Sequence, residues 1–121
     1  MGSENVSVSG NYQLGAQYDV TRIPHFGRSR DMLGEDPVLT SSLAVAETKG
    51  IQEQRAIATL KHYAGYAQSA SPVTSADFHI DEQTLYEVYL RPFEAAATKG
   101  GAGSVMCTYN KINGKWAASN F

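Results

Sequence analysis

Lys61 and His62 stand side by side where an apolar run, residues 56–60, gives way to a polar segment that contains glycine. The lysine offers three hydrogen-bond donors and a charge, and the histidine can donate, accept or titrate near neutral pH. Together they can hold vicinal hydroxyls or a carboxylate. The alternative is a solvated lysine beside a buried core histidine, so the position of the pair in the fold decides its meaning.

The apolar run before the pair predicts a β-strand. In α/β barrels and open parallel sheets, ligands lie beyond the carboxyl ends of the strands, so residues just past a strand reach them first. We therefore expect Lys61 and His62 to form part of a binding site for a polar ligand.

The first half of the chain predicts a strand and a helix before this run. Residues 1–11 are rich in Ser, Gly and Asn and predict an irregular segment, whereas residues 18–23 predict a strand leading into a loop. Asp36-Pro37 predicts a helix start, because Asp caps free amides and Pro is tolerated at the first helical position. Gly50 predicts the end of that helix. Residues 63–80 then predict a long loop of the kind that is often functional.

The second half predicts another helix and another strand. The helix begins at Asp81, is expected to kink or split at Pro92, and ends at Gly100-Gly101. Residues 103–109 predict a buried strand, and Asn113-Gly114 predicts a turn. The alternation of helices and strands indicates an α/β fold with parallel strands joined by crossover helices.

Composition excludes several classes of protein. The 121 residues, 42% of them hydrophobic, can bury one modest core. Ten basic and 12 acidic residues without a run of like charge give no reason to expect a nucleic acid or an anionic membrane as partner.

No stretch approaches the roughly 20 apolar residues of a membrane span, and the start lacks the features of a signal peptide, so we expect a soluble chain of undetermined compartment. Cys107 is the single cysteine, which excludes an intrachain disulfide.

Four sequence blocks, in order, carry a resemblance to a known family. They are FGR and GEDP at 26–28 and 34–37, ATLKHY at 58–63, IDEQTL and YLRPFEA at 80–85 and 89–95, and GAGSVMCTYN with NG at 101–110 and 113–114. The family patterns are W-G-R with E-D-P, K-H-F/Y, D-E-R-T-L with L-P-P-F-E-A, and A-G-S-V-M-C-S-Y-N-x-x-N-G. Over residues 18–120 the chain thus resembles the N-terminal barrel domain of glycoside hydrolase family 3, the β-glucosidases, β-xylosidases and related exo-acting enzymes.

This resemblance implies part of a retaining exo-β-glycosidase, foremost a β-glucosidase, which hydrolyses terminal nonreducing β-D-glycosyl residues of a β-glucoside or related oligosaccharide. It implies that Arg28, Lys61 and His62 hold hydroxyls of the terminal sugar, with Met106 and Tyr109 forming nearby wall and polar contacts. A pyranose ring requires such converging donors and acceptors. By its residue type alone, Met106 is better explained by core packing. Neither a cofactor nor a metal is implied.

The resemblance also implies that the catalytic residues lie outside this chain. Hydrolysis with retention needs two carboxylates about 5 Å apart, a nucleophile and an acid/base. In the family, the nucleophile is the Asp of an S-D-W motif on the strand after the one matched by residues 104–109, and the acid/base follows later. An upstream D-G-P block, whose Asp binds the sugar, would precede Met1. Because the acidic residues at 35–36 and 81–82 fit helix starts, we expect negligible hydrolysis by these residues alone.

Two alternatives remain open. One is a noncatalytic carbohydrate-binding or scaffold protein of the same fold. The other is the β-N-acetylglucosaminidase branch, whose Asp-x-His dyad resembles Asp77-Phe78-His79, although that branch carries K-H-F-P-G-H-G where this chain has KHYAGYA at 61–67. His25-Phe26 in place of R-W, Ser29-Arg30-Asp31 in place of N-x-E, and Tyr66-Ala67-Gln68 in place of N-N-Q leave the sugar preference open.

Size sets the expected architecture. A complete barrel takes about 250 residues, so we expect a partial TIM-barrel-like arc of about three strands with crossover helices. The predicted division is an irregular segment at residues 1–11 and a partial barrel domain at residues 12–121. Such an arc exposes strand edges and an apolar face. We therefore expect marginal stability, and contact with the remainder of the parent enzyme or self-association through those edges.

Overall fold

The computed structural model of the protein describes residues 3–4, 10–68 and 76–120. It is an α/β structure, as the alternating sequence pattern predicts. The six strands among these residues are β1 (Tyr12–Gln17), β2 (Ile57–Tyr63), β3 (Asp77–Phe78), β4 (Ser104–Cys107), β5 (Lys111–Ile112) and β6 (Lys115–Trp116). Besides helical residues 3–4 in the segment predicted to be irregular, the α-helices are α1 (Pro37–Gln52), α2 (Glu82–Thr84) and α3 (Arg91–Thr98). A π-helical segment, Leu85–Leu90, joins α2 to α3, and 3₁₀ turns occur at Ser29–Asp31, Tyr66–Gln68 and Ala117–Ser119.

The main sheet consists of three parallel strands in the order β1-β2-β4. The segment with α1 connects β1 to β2, and the segment with α2 and α3 leads from β2 to β4. Parallel neighbours require such crossovers, and the same geometry brings the carboxyl ends of the three strands to one edge. The residues that follow these strands therefore lie at that edge.

The expected strand at residues 18–23 was wrong. The strand is β1, at Tyr12–Gln17, and the ladder to β2 closes with the Tyr18 amide donating to the Lys61 carbonyl at 2.8 Å. Tyr18 and Val20 are completely buried, so their burial resembles strand alternation although they lie past the strand end. Residues 1–2 and 5–9 of the expected irregular segment lie outside the described residues, and the division at residue 12 stays a prediction.

Helix α1 begins where Asp36-Pro37 predicts. The Asp36 Oδ1 atom accepts hydrogen bonds from the amides of Val38 at 2.6 Å and Leu39 at 2.9 Å, which satisfies two free donors of the first turn. The predicted end at Gly50 was wrong, because the helix runs on to Gln52. The left-handed residue that ends this region is Arg55, with φ of 64°.

The second helical region begins at the predicted cap and changes character before Pro92. The Asp81 Oδ1 atom accepts a hydrogen bond from the Thr84 amide at 2.9 Å. The π-helical segment ends at Leu90, and Pro92 lies in the first turn of α3. Because proline has no amide hydrogen and crowds the preceding turn, the widened turn falls where the sequence predicted a kink or split.

The loop predicted at residues 63–80 begins later than expected, because residue 63 still belongs to β2. Strand β2 extends to Tyr63, Tyr66–Gln68 forms a 3₁₀ turn, and residues 69–75 of the predicted loop lie outside the described residues. Strand β4 is likewise shorter than the predicted 103–109.

The core lies between the main sheet and the helices. Its central cluster of buried side chains consists of Tyr18, Ala44, Leu60, Ala64, Phe93 and Ala96. Other apolar side chains are exposed on the strands and the second helical region, including Leu14 at 55%, Val105 at 52% and Tyr86 at 61%. Among the described residues, no helix combines the length and the apolar character needed to cross a bilayer.

The predicted Asn113-Gly114 turn joins β5 and β6, with φ of 52° at Asn113 and 83° at Gly114. Asn113 also fastens the segment before α2, because its Oδ1 accepts from the Ile80 amide at 2.9 Å and its Nδ2 donates to the Ile80 carbonyl at 2.7 Å. The hairpin therefore fixes where the second helical region starts.

Replacing Asn113 by glycine is expected to lower the free energy of unfolding by about 2 kcal/mol, because two hydrogen bonds of about 1 kcal/mol each are lost while the left-handed backbone stays favourable. Urea unfolding of the chain measures this. Gly114→Ala is the matched control, since an added Cβ there meets nothing within 4 Å and reports backbone strain alone. A change within about 0.5 kcal/mol for Asn113→Gly, the range of ordinary surface substitutions, would show that the amide clamp is not stabilising.

Candidate sugar-binding site

Asp19 lies two residues past the end of β1 and is almost fully buried, with 1% of its surface exposed. Its Oδ2 atom accepts a hydrogen bond from the His62 amide at 2.9 Å, and its Oδ1 atom accepts one from the Tyr66 amide at 3.1 Å. A buried carboxylate is costly unless such donors surround it. Asp19 therefore fixes the main chain of β2 and of the following turn at the carboxyl edge of the sheet.

Lys61 and His62 lie inside β2 and not just past it, which corrects the sequence-based placement. The strand continues because Lys61 pairs with Gln17 of β1 and Tyr63 pairs with Cys107 of β4. The peptide bonds Lys61–His62 and Tyr63–Ala64 are cis, and the register of the ladder to β4 is irregular over the same residues. The pair nevertheless remains within the last three residues of the strand.

Arg28 reaches the same region from the first 3₁₀ turn. Its Nε donates to Asp31 Oδ2 at 2.9 Å, and the Tyr66 side chain is close enough to influence its pKa. Burial lowers the pKa of Arg28, but the hydrogen bonds to Asp31 and Tyr66 outweigh burial and hold the pKa above its ordinary value. Arg28 is therefore a fixed cation at the edge of the sheet.

Lys61 is half buried, and the charge of Arg28 affects its pKa. Burial first, and then Arg28, lower the pKa of Lys61 below its ordinary value, while Asp31 and Glu47 oppose that shift. The effect of Arg28 on the pKa of Lys61 indicates that the two cations lie in the same region. Such a region is suited to hydroxyl oxygens and other electron-rich groups.

Three aromatic rings line this region. The His62 ring lies 4.2 Å from the Tyr66 ring, centroid to centroid, and is tilted by 34°. The Phe26 and Tyr66 rings form a T-shaped pair with their centroids 5.5 Å apart. The buried His62 Nδ1 lies 3.6 Å from Asp19 Oδ2, which is too long for a hydrogen bond. Arg28, Lys61 and His62 are thus brought together, although they come from separate parts of the sequence.

Met106 and Tyr109 lie in and just after the neighbouring strand, β4. Met106 is half buried within β4, and Tyr109 follows β4 with an exposed side chain. The Thr108 amide donates to the Tyr63 carbonyl at 3.0 Å, which holds the end of β4 against the end of β2. The two residues therefore share the edge of the sheet with Lys61 and His62, and their contacts with a sugar stay a prediction.

Other carboxylates have structural partners. Asp36 and Asp81 cap helices, and Asp31 pairs with Arg28. Asp77, from the Asp77-Phe78-His79 segment, accepts a hydrogen bond from the Gly114 amide at 2.9 Å and so helps to hold the hairpin. Among the described residues, no group of three His, Cys, Asp or Glu side chains has the arrangement of a metal site.

Sequence reasoning missed Asp19 and Tyr66. Asp19 was hidden because the wrong strand assignment placed it in the middle of a strand. Tyr66 was noted only as a departure from N-N-Q. An acidic residue shortly after a strand, at the edge where strand ends meet, was the available signal for Asp19.

Comparison with known proteins identifies the family. The family described as "Glycosyl hydrolase family 3 N terminal domain" matches residues 1–120. The chain belongs to glycoside hydrolase family 3. This confirms the resemblance carried by the four sequence blocks.

Relatives within glycoside hydrolase family 3 include thermostable β-glucosidase B of Acetivibrio thermocellus, which is 41% identical over 118 residues, 98% of this chain and 15% of that protein. A β-glucosidase of Rhizobium radiobacter is 37% identical over 121 residues, 99% of this chain and 14% of that protein. The chain therefore spans about one seventh of the length of these curated relatives.

Solved structures of glycoside hydrolase family 3 share the fold of the chain. β-Glucosidase 3B from Thermotoga neapolitana, in complex with glucose, matches with a TM-score of 0.94 at 36% identity, covering 99% of this chain and 17% of that one. A β-glucosidase from Kluyveromyces marxianus in complex with glucose matches with a TM-score of 0.94 at 28% identity, covering 99% and 14%.

Proposed function

We propose that this chain is the sugar-binding part of a retaining exo-β-glycosidase, foremost a β-glucosidase that acts on terminal nonreducing β-D-glucosyl residues. One observation carries the proposal. Arg28, Lys61 and His62 converge at the carboxyl edge of a parallel sheet, in a chain that matches glucose-bound β-glucosidases with a TM-score of 0.94. A β-glucoside or a related oligosaccharide is then the substrate.

The chemistry of these side chains suits a pyranose. The Lys61 ammonium and the Arg28 guanidinium donate to hydroxyl oxygens, and charged donors form the stronger hydrogen bonds. His62 directs Nδ1 towards Asp19, which leaves Nε2 as its group for a hydroxyl. Met106 and Tyr109 supply a wall and a polar contact from β4. This set of donors, fixed by Asp19 and Asp31, binds a sugar without cofactor or metal.

The catalytic carboxylates come from other residues of the parent enzyme. Asp19 is engaged with two amides, and Asp31 with Arg28, so the carboxylates beside Lys61 serve the architecture. Retaining hydrolysis needs a separate nucleophile and acid/base about 5 Å apart. The 121 residues alone therefore bind sugar and hydrolyse negligibly.

The three parallel strands form an arc of a TIM barrel in the parent enzyme, within a partial domain at residues 12–121. Exposed Leu14 on β1, together with Val105 on β4 and Tyr86, supports this arrangement, because outer strands and apolar side chains need cover. The remainder of the parent enzyme covers them, or a second copy does so when the chain is isolated.

A hybrid enzyme tests the proposal. In this hybrid, the chain replaces the segment that aligns with it in β-glucosidase B of Acetivibrio thermocellus. We expect the hybrid to hydrolyse an aryl β-glucoside, and Arg28→Ala to raise its Ki for glucose at least about tenfold, because a charged hydrogen bond contributes about 1.5–3 kcal/mol. Arg30→Ala is the matched control, since the Arg30 side chain is 87% exposed.

The outcomes are distinct. A folded hybrid that binds glucose but does not hydrolyse the glucoside would favour the noncatalytic alternative. Equal Ki values for the Arg28→Ala and Arg30→Ala hybrids would remove Arg28 from the sugar site.

A further inference from the structure

Tyr66 lies between two of the residues assigned to the sugar. Hydrogen bonding by its side chain is one cause of the raised pKa of Arg28, and its ring lies 4.2 Å from the ring of His62, centroid to centroid. The Phe26 ring forms a T-shaped pair with the same tyrosine ring, with the centroids 5.5 Å apart. One tyrosine thus touches two binding residues that lie 34 positions apart in the sequence.

The main chain at Tyr66 is fixed as firmly as its ring. The Tyr66 amide donates to the buried Asp19 carboxylate, which also holds the His62 amide. Tyr66 and His62 therefore keep their relative position through a shared anchor on β1. A tyrosine held at its amide and at its ring has little freedom to move.

We propose that Tyr66 is a positioning residue of the sugar site, orienting Arg28 through its hydroxyl and His62 through its ring. This inference rests on the proposed function and deepens it. Arg28 has five N–H donors in a planar fork. The bonds to Asp31 and Tyr66 fix the plane of that fork before the sugar arrives. The remaining donors then meet the sugar hydroxyls without the entropic cost of ordering a long side chain.

The variant Tyr66→Phe isolates the hydroxyl, because phenylalanine keeps the ring against His62 and Phe26. In the hybrid enzyme, we expect the Ki for glucose and the KM for an aryl β-glucoside to rise about fivefold, the size of one ordinary hydrogen bond. We expect kcat to stay within about twofold, because the sugar is held alike in the ground state and the transition state. Tyr63→Phe is the matched control, since the Tyr63 ring packs on Phe93 at 5.3 Å.

A double-mutant cycle then tests whether Tyr66 acts through Arg28. We expect Tyr66→Phe to change Ki by less than about twofold when Arg28→Ala is already present, because the group that it orients is gone. Tyr66→Leu removes the ring as well, and in the Arg28→Ala background it should still raise Ki through His62. A lower kcat with unchanged KM and Ki would instead indicate a merely structural tyrosine and overturn the inference.

The inference and the proposed function fail separately. Additive effects of Tyr66→Phe and Arg28→Ala, or no effect of Tyr66→Phe while Arg28→Ala weakens glucose binding, would overturn the inference alone. No effect of Arg28→Ala in an active hybrid would overturn the sugar site on which the inference rests.

Discussion

Replacing Lys61 with methionine is expected to lower kcat/KM of the hybrid enzyme for an aryl β-glucoside about ten- to a hundredfold. Methionine keeps the half-buried stem but removes the ammonium donors. Hydrogen bonds from a charged group contribute about 1.5–3 kcal/mol, and each 1.36 kcal/mol is a factor of ten in rate, so the loss of Lys61 corresponds to roughly one to two powers of ten. Steady-state kinetics on the purified hybrid measures the change.

Lys99→Met is the matched control for Lys61→Met. Lys99 is exposed at the C-terminal end of α3 and lies away from the edge that holds the site. Its replacement should leave kcat/KM within about twofold, as expected for a surface change. A loss of the same size in both variants would show that lysine removal destabilises the hybrid and that Lys61 does not bind the sugar.

Replacing Asp19 with alanine is expected to lower the free energy of unfolding of the hybrid enzyme by about 3–5 kcal/mol. Two amides lose a charged acceptor, and the buried His62 amide is left without a partner. Hydrogen bonds to a charged acceptor contribute about 1.5–3 kcal/mol each, and unsatisfied buried donors cost a similar amount. Urea unfolding, followed by circular dichroism, measures the loss.

Asp77→Ala serves as the comparison for Asp19→Ala. Asp77 is exposed and accepts one amide, that of Gly114. Its loss should cost about 1 kcal/mol, because water can replace its oxygen. Comparable destabilisation by the two variants would show that burial of Asp19 adds nothing to its hydrogen bonds.

The parts of the fold with local signals were predictable. The α1 start at Asp36-Pro37, the second helical region at Asp81 and the hairpin turn at Asn113-Gly114 each depend on residues that satisfy their own neighbours. Caps and turns of this kind depend on three or four consecutive residues. The sequence therefore predicts them without knowledge of the tertiary structure.

Strand β1 could not be predicted, because its burial pattern is reversed. Tyr12 and Leu14 are 60% and 55% exposed, whereas the polar Gln17 is fully buried. Sequence reasoning expects apolar side chains on the buried face, and it moved the strand to residues 18–23, where Tyr18 and Val20 provide that pattern. Tyr12 and Leu14 point to the same face of the sheet, and both are exposed there, so the usual link between apolar character and burial fails for this strand.

The candidate site was predictable only where motifs carry it. Lys61 and His62 were found from their position after an apolar run, and Arg28 from a resemblance. The contacts of Asp19 reach residues 43 and 47 positions away, and the Tyr66 contact with Arg28 spans a similar gap. Such pairs exist only after β1 and β2 are aligned, so neither spacing nor periodicity reveals them.

The anchor on Asp19 also bears on how this pocket can diversify. Asp19 holds residues 62 and 66 through their amides, and every amino acid except proline has an amide hydrogen. The path of the main chain is therefore insensitive to which side chain residue 66 carries. The main chain at Lys61 and His62 can therefore keep its path whether residue 66 is tyrosine or the asparagine of the N-N-Q pattern. Evolution can thus change the lining of the pocket at this position while its backbone frame stays the same.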